Sequence, residues 1–152
     1  MSLLQKLKNS IRKRSIHLSF VDTASCNGCD IEILACLAPR YDLEQYGIYV
    51  HNNPREADIL LVVGGVTEQW VEKLPMIWNK IPEPKVAIAV GNCAISGCVF
   101  NRPGSYTNPP VSKHIPVAIS IPGCPPRPDE IIQAILTIAP LAFKDYEKGE
   151  GR

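Results

Sequence analysis

Several features are missing from this 152-residue sequence. No apolar run approaches the roughly 18 residues needed to cross a bilayer, so a membrane-spanning chain is not expected. No charge of either sign dominates: 16 Lys and Arg against 15 Asp and Glu leave a formal net charge of +1. That balance removes the electrostatic case for a nucleic-acid partner. No secretory apolar core opens the chain, because MSLLQKLKNSIRKR is charged throughout. A disulfide framework is therefore not expected for the six cysteines. The implied compartment is reducing, where thiols spaced like these bind metal or do redox chemistry. There is no internal repeat and no sign of a second domain.

What remains is a globular composition, 45 % hydrophobic and 20 % charged. The fourteen prolines gather in 75–84 and 103–128, which implies long, stiffened loops. Residues 1–14 pattern as a basic amphipathic helix, with Leu3, Leu4, Leu7 and Ile11 on one face. Such a helix lies on a partner, in solvent or on an anionic membrane surface. SIHLSFVDT (15–23) alternates as a strand, and DIEILACLA (30–38) reads as a helix with an acidic first turn. GIYVH (47–51) reads as a short strand, and ADILLVVGG (57–65) as a strand buried on both faces of a parallel sheet. Residues 68–81 pattern as a helix with a kink or break at Pro75. KVAIAVGNC (85–93) and PVAISIPGC (116–124) read as strands separated by a long loop over 94–115. Pro128 and an acidic turn start a helix over 128–143, and 144–152 is a polar tail. Strands alternating with helices predict a single α/β domain over 15–143, a mostly parallel sheet flanked by helices.

The cysteines follow the strands. Cys26 and Cys29 come after the first strand, Cys93 ends 85–92 and Cys124 ends 116–122. If the strands run parallel, their carboxyl ends share one rim, where open α/β folds bind ligands. The strand 57–63 ends there in Gly64-Gly65, and the bound group is expected over that pair. Four thiolates suit zinc or an iron–sulfur cluster. A zinc ribbon takes two paired knuckles, whereas here one CxxC meets two lone, distant cysteines. Such scattered ligation suits a 4Fe–4S cluster on Cys26, Cys29, Cys93 and Cys124, with a zinc-stabilised binding module as the remote alternative. Asn27-Gly28, Gly91-Asn92 and Pro122-Gly123 flank these thiols with residues that allow close backbone approach. Cys36 falls on an apolar helix and reads as a core thiol. Cys98 is nearer the site and is the only rival to Cys93.

CNGCDIE, GNCAISGC and PGCPPRPDEI resemble motifs in the small, cluster-bearing subunit of group 4 membrane-bound [NiFe]-hydrogenases. They also resemble the homologous 20-kDa-type subunit of respiratory complex I. The resemblance spans roughly 15–142, and the spacing of Cys26 from Cys29 matches the hydrogenase branch rather than complex I, where those cysteines are adjacent. It implies a flavodoxin-like fold without a flavin, and ligands at Cys26, Cys29, Cys93 and Cys124. The family usually has glycine where this chain has Cys98, which argues against Cys98 as a ligand and leaves a redox-sensitive role as its alternative.

The implied function is an electron relay to the nickel–iron site of a large partner, in an ion-pumping complex that evolves hydrogen. One cluster and no catalytic centre are expected in this chain. The implied partners are the large catalytic subunit, an iron–sulfur donor subunit and membrane ion-pumping subunits, around a peripheral subunit on the cytoplasmic side. The same relay in a quinone- or sulfur-reducing complex is the alternative. Glu32, Arg40 with Tyr41 and Asp42, and Arg127 are candidates for the large-subunit interface. Glu32 is a candidate proton carrier or a helix-dipole partner, and the arginines either offset cluster charge or form ordinary surface salt bridges. His17, His51 and His114 stand apart from every motif.

Overall fold

Five short apolar runs pair side by side in a computed structural model that describes residues 15–102, 104 and 110–148. They are β1 (Ile16–Asp22), β2 (Ile48–Val50), β3 (Ile59–Val63), β4 (Val86–Val90) and β5 (Ile119–Ile121). The spatial order is β2-β1-β3-β4-β5, and every pairing is parallel. This is the flavodoxin-like order, in which the strand sequence reverses beside β1. Register is continuous across the centre, with Phe20 opposite Leu61 and Leu61 opposite Ile88.

Among the described residues, four helices cover the sheet: α1 (Gly28–Ala35), α2 (Glu68–Lys80), α3 (Asn92–Ser96) and α4 (Pro128–Lys148). Because β3 is apolar at every position, it feeds two cores at once. Ile59, Leu61 and Val63 pack with Ile33 of α1 and with Ile131 and Ile135 of α4. Leu60 and Val62 pack on the other face with Leu74 of α2 and Ala94 of α3. Helices on both faces are what a parallel sheet requires.

The sheet is the parallel, helix-flanked sheet that the sequence predicts. Several elements differ in extent from the sequence reading. β5 is much shorter than 116–124, because Pro116 and Pro122 bracket it and cannot donate to a ladder. Pro75 does not break α2, which continues to Lys80 with Leu74 fully buried beside it. Packing of that leucine outweighs the lost helical bond. The 94–115 loop contains helical turns, part of α3 and 3-10 segments at Cys98–Phe100 and Val111–Lys113. α4 extends to Lys148, into the segment read as polar tail. Its start matches the sequence signal: Pro128 opens it, and the Arg127 amide donates to Glu130 Oε2 at 3.0 Å. The helix read over residues 1–14 lies outside the described residues.

Leu61→Ala removes a side chain 1 % exposed at the centre of β3. It is expected to lower unfolding stability by about 2–5 kcal/mol, read from the urea midpoint.

Candidate metal centre

The four motif cysteines approach one another at the carboxyl rim of the sheet. Cys26 and Cys29 follow β1, Cys93 follows β4 and Cys124 follows β5. Asn27 adopts a left-handed conformation (φ 67°) and turns the chain into α1, which starts at Gly28 rather than near Asp30. Cys29 thus lies inside the first turn, among amide groups without intrahelical acceptors. Cys93 does not end β4; it sits in the first turn of α3.

Two reciprocal bonds lock the loops of Cys93 and Cys124 together. The Asn92 amide donates to the Gly123 carbonyl at 2.9 Å. The Gly123 amide donates to Asn92 Oδ1 at 3.0 Å. On the other side, Asp22 Oδ1 accepts from the amides of Ala24 and Ser25, and Ser25 Oγ donates to Asp30 Oδ2. Asn92 and Asp22 were missed as functional residues. A short polar side chain at a strand end, able to bond nearby backbone, was the available signal.

A motif thiol lies against Gly91, whereas the face of Gly64 is taken by backbone. A Cβ on Gly91 would lie 2.6 Å from Cys29 Sγ. A Cβ on Gly64 would lie 2.5 Å from the Ala24 carbonyl carbon, because the β1–α1 loop occupies that place.

Cys29 is buried, and its thiol is pushed up to about 11 by burial first and then by the charges of Cys26, Cys93, Asp30 and Cys124. Cys93 is raised by burial, then by Cys98, Cys124 and Cys26. The motif sulfurs are therefore near enough to repel one another as thiolates, a repulsion that a cationic metal core relieves. Asp30 is also raised, mainly by burial, and its Oδ1 is buried without a hydrogen-bond partner. Among the described residues, no group of three or more His, Cys, Asp or Glu is placed to hold a metal ion. The donor set of four soft thiols nonetheless fits a thiolate-bound iron–sulfur group in kind.

The remaining candidates lie further out. Cys36 is a core thiol, 1 % exposed, whose Sγ donates to the Glu32 and Pro128 carbonyls. Burial, then the charge of Glu32, pushes it up to about 11. Glu32, half-buried, thus faces Cys36. Cys98 is exposed, with φ 46°, a conformation that suits glycine better than cysteine. Arg40 stacks 5.6 Å from the Tyr41 ring centroid and lines a cavity of about 240 Å³ with Asp129 and Gln133. Arg127 is exposed at the start of α4. The His17 and His51 rings lie 4.8 Å apart beside the amino-terminal half of β1, away from this rim.

The doubly wound parallel sheet with cysteines along its carboxyl rim is similar in fold to chains of hydrogenase structures. A chain of an NAD⁺-reducing [NiFe]-hydrogenase in the H2-reduced state is similar in fold. It is 25 % identical with a TM-score of 0.60, covering 82 % of this chain and 90 % of that one. The protein belongs to the NADH ubiquinone oxidoreductase 20 Kd subunit family, whose match covers residues 26–138. An uncharacterized protein of Methanocaldococcus jannaschii is 61 % identical over 93 % of this chain and 95 % of its own length. The probable membrane-bound hydrogenase subunit mbhJ of Pyrococcus furiosus is 46 % identical over 81 % of this chain and 73 % of its own length. A chain of an archaeal respiratory complex, the membrane-bound sulfane sulfur reductase, is 33 % identical with a TM-score of 0.75, covering 95 % of this chain and 77 % of that one. Homologues are thus subunits of oxidoreductase complexes. Among the described residues, no helix is long and apolar enough to cross a membrane.

The cluster-free chain, treated with iodoacetamide at pH 8, is expected to be alkylated first at the exposed Cys26, Cys98 and Cys124. Cys29 and Cys36, raised from 9.0 to about 11, should react last. The nucleophile is the thiolate, and such a rise leaves roughly a hundredfold less of it. Peptide mass spectrometry over a time course checks the order.

Proposed function

We propose that this chain is the electron-relay subunit of a membrane-bound, ion-pumping [NiFe]-hydrogenase complex that evolves hydrogen. Cys26, Cys29, Cys93 and Cys124 would hold one 4Fe–4S cluster, which supplies a one-electron couple when bound. The observation that supports this reading is the parallel topology that brings the loops of Cys26, Cys29, Cys93 and Cys124 to one sheet edge, with the Cys93 and Cys124 loops bonded to each other through Asn92 and Gly123. The likeness to a probable membrane-bound hydrogenase subunit supports the hydrogenase complex.

The work of this chain's own residues is ligation and insulation. Gly91, lacking a Cβ, lets Cys29 Sγ lie close against it, and the first turn of α1 presents amides that would stabilise negative charge on sulfur. Asn92 keeps the Cys93 and Cys124 loops at a fixed separation. The rim requires a cover that excludes solvent, and the large catalytic subunit fills that role in this reading. Ile31 and Leu34 on α1 are 63 % and 52 % exposed, and Val99 and Phe100 beside Cys98 are also exposed. These residues, with Glu32, Arg40 and Arg127, form the proposed contact surface. In this reading Glu32 carries a proton or a hydrogen bond across it. The chain supplies no catalytic centre; an iron–sulfur subunit donates electrons, and membrane subunits pump ions. The assembly lies on the cytoplasmic side of the membrane.

A second reading is the same relay in a sulfur-reducing complex, favoured by the likeness to the sulfane sulfur reductase chain. Nickel content and hydrogen evolution of the purified complex separate the two.

Anaerobically purified protein is expected to contain iron and acid-labile sulfide in equal amounts and to give an EPR signal after dithionite reduction. Serine at Cys26, Cys29, Cys93 or Cys124 should abolish or strongly reduce that signal, while Cys36→Ser and Cys98→Ser retain it. A colourless preparation holding zinc and no iron defeats the relay.

A further inference from the structure

The segment joining β1 to α1, residues 23–27, contains two non-glycine residues with positive φ, Ala24 at 140° and Asn27 at 67°. Such conformations are costly and persist only where the surroundings over-determine them. Here the surroundings do so. The Thr23 amide and hydroxyl both donate to the Val63 carbonyl, at 3.0 and 2.9 Å. Asp22 Oδ1 accepts from the amides of Ala24 at 2.9 Å and Ser25 at 2.6 Å. Ser25 Oγ donates to Asp30 Oδ2 at 2.8 Å and accepts from the Asn27 amide at 3.1 Å. Beneath the loop, Gly64 lets β3 approach so closely that a Cβ would sit 2.6 Å from the Ser25 nitrogen and 2.8 Å from the Ala24 oxygen. Every one of these restraints comes from protein, and none needs a bound group.

We propose that Asp22 and Gly64 are positioning residues that preset the Cys26 loop, so that Cys26 is held ready for ligation before any cluster arrives. The proposal rests on the reading of Cys26 and Cys29 as cluster ligands. Asp22 acts as an acceptor of fixed reach: it draws two consecutive amides to itself and so sets where the next residue, Cys26, leaves the loop. Gly64 acts by having no side chain, which lets the loop settle on the end of β3. The loop is thereby rigid in the empty chain, and loading costs little ordering at Cys26. The alternative is a loop shaped by the metal, as in small metal-dependent domains.

Amide hydrogen exchange on the anaerobic, cluster-free full-length chain tests this directly. The Ala24 and Ser25 amides are expected to be protected in the empty chain as in the loaded one. Asp22→Asn, which retains an acceptor oxygen, should keep that protection. Asp22→Ala should lose at least about tenfold of it. After reconstitution with iron and sulfide, Asp22→Ala should also show shifted EPR g-values, a shifted midpoint potential and less iron per chain, while Asp22→Asn matches the wild type. Unprotected Ala24 and Ser25 amides in a wild-type chain that still takes up iron overturn this proposal alone. So does an Asp22→Ala cluster with wild-type g-values and potential. A wild-type chain that takes up no iron, even with both amides protected, overturns the relay reading and this proposal with it. Should Asp22→Ala fail to fold, the exchange of the wild-type amides decides.

Discussion

Parallel pairing of β1, β3, β4 and β5 is the constraint on which everything else depends. Because the strands point the same way, the loops that leave them emerge at a common edge. Cysteines far apart in the chain then become neighbours without any long-range design beyond strand order. The cost of this arrangement is burial on both faces, which β3 meets with apolar residues at every position. Reversing one strand would send its cysteine to the opposite edge and dissolve the set.

Around that edge, the protein uses backbone more than side chains. Gly91 gives up a Cβ so that Cys29 can turn inward. Asn92 and Asp22 spend short side chains on main-chain groups, joining loop to loop in one case and closing a turn in the other. The result is a site with few bulky walls, surrounded by fixed dipoles, and buried only partly by its own chain. Cys26 and Cys124 remain exposed while Cys29 is buried. An edge of that kind suits membership in a larger assembly, the setting in which relatives of this family are found.

Much of this was legible in the sequence, for physical reasons. The unbroken apolar run of β3 is a signature of burial on two faces. The cysteines stand next to strand ends, so topology alone puts their loops along one edge. What was hidden depended on contacts between distant segments. Gly64 and Gly91 look alike in sequence, each closing an apolar strand, yet one is filled by the Ala24–Ser25 backbone and the other faces a thiol. Pro75 signals a break, but the burial of Leu74 is a tertiary fact no local pattern contains. Asn92 is an ordinary loop residue until Gly123 lies beside it.

The doubled bond between Asn92 and Gly123 also divides the edge into two mechanical units. The sulfurs of Cys93 and Cys124 ride on loops fastened to each other, so a thermal displacement of one drags the other along. Cys26 and Cys29 belong to a separate body, anchored to β1, β3 and the first turn of α1. The four sulfurs are thus carried as two linked pairs rather than as four independent arms.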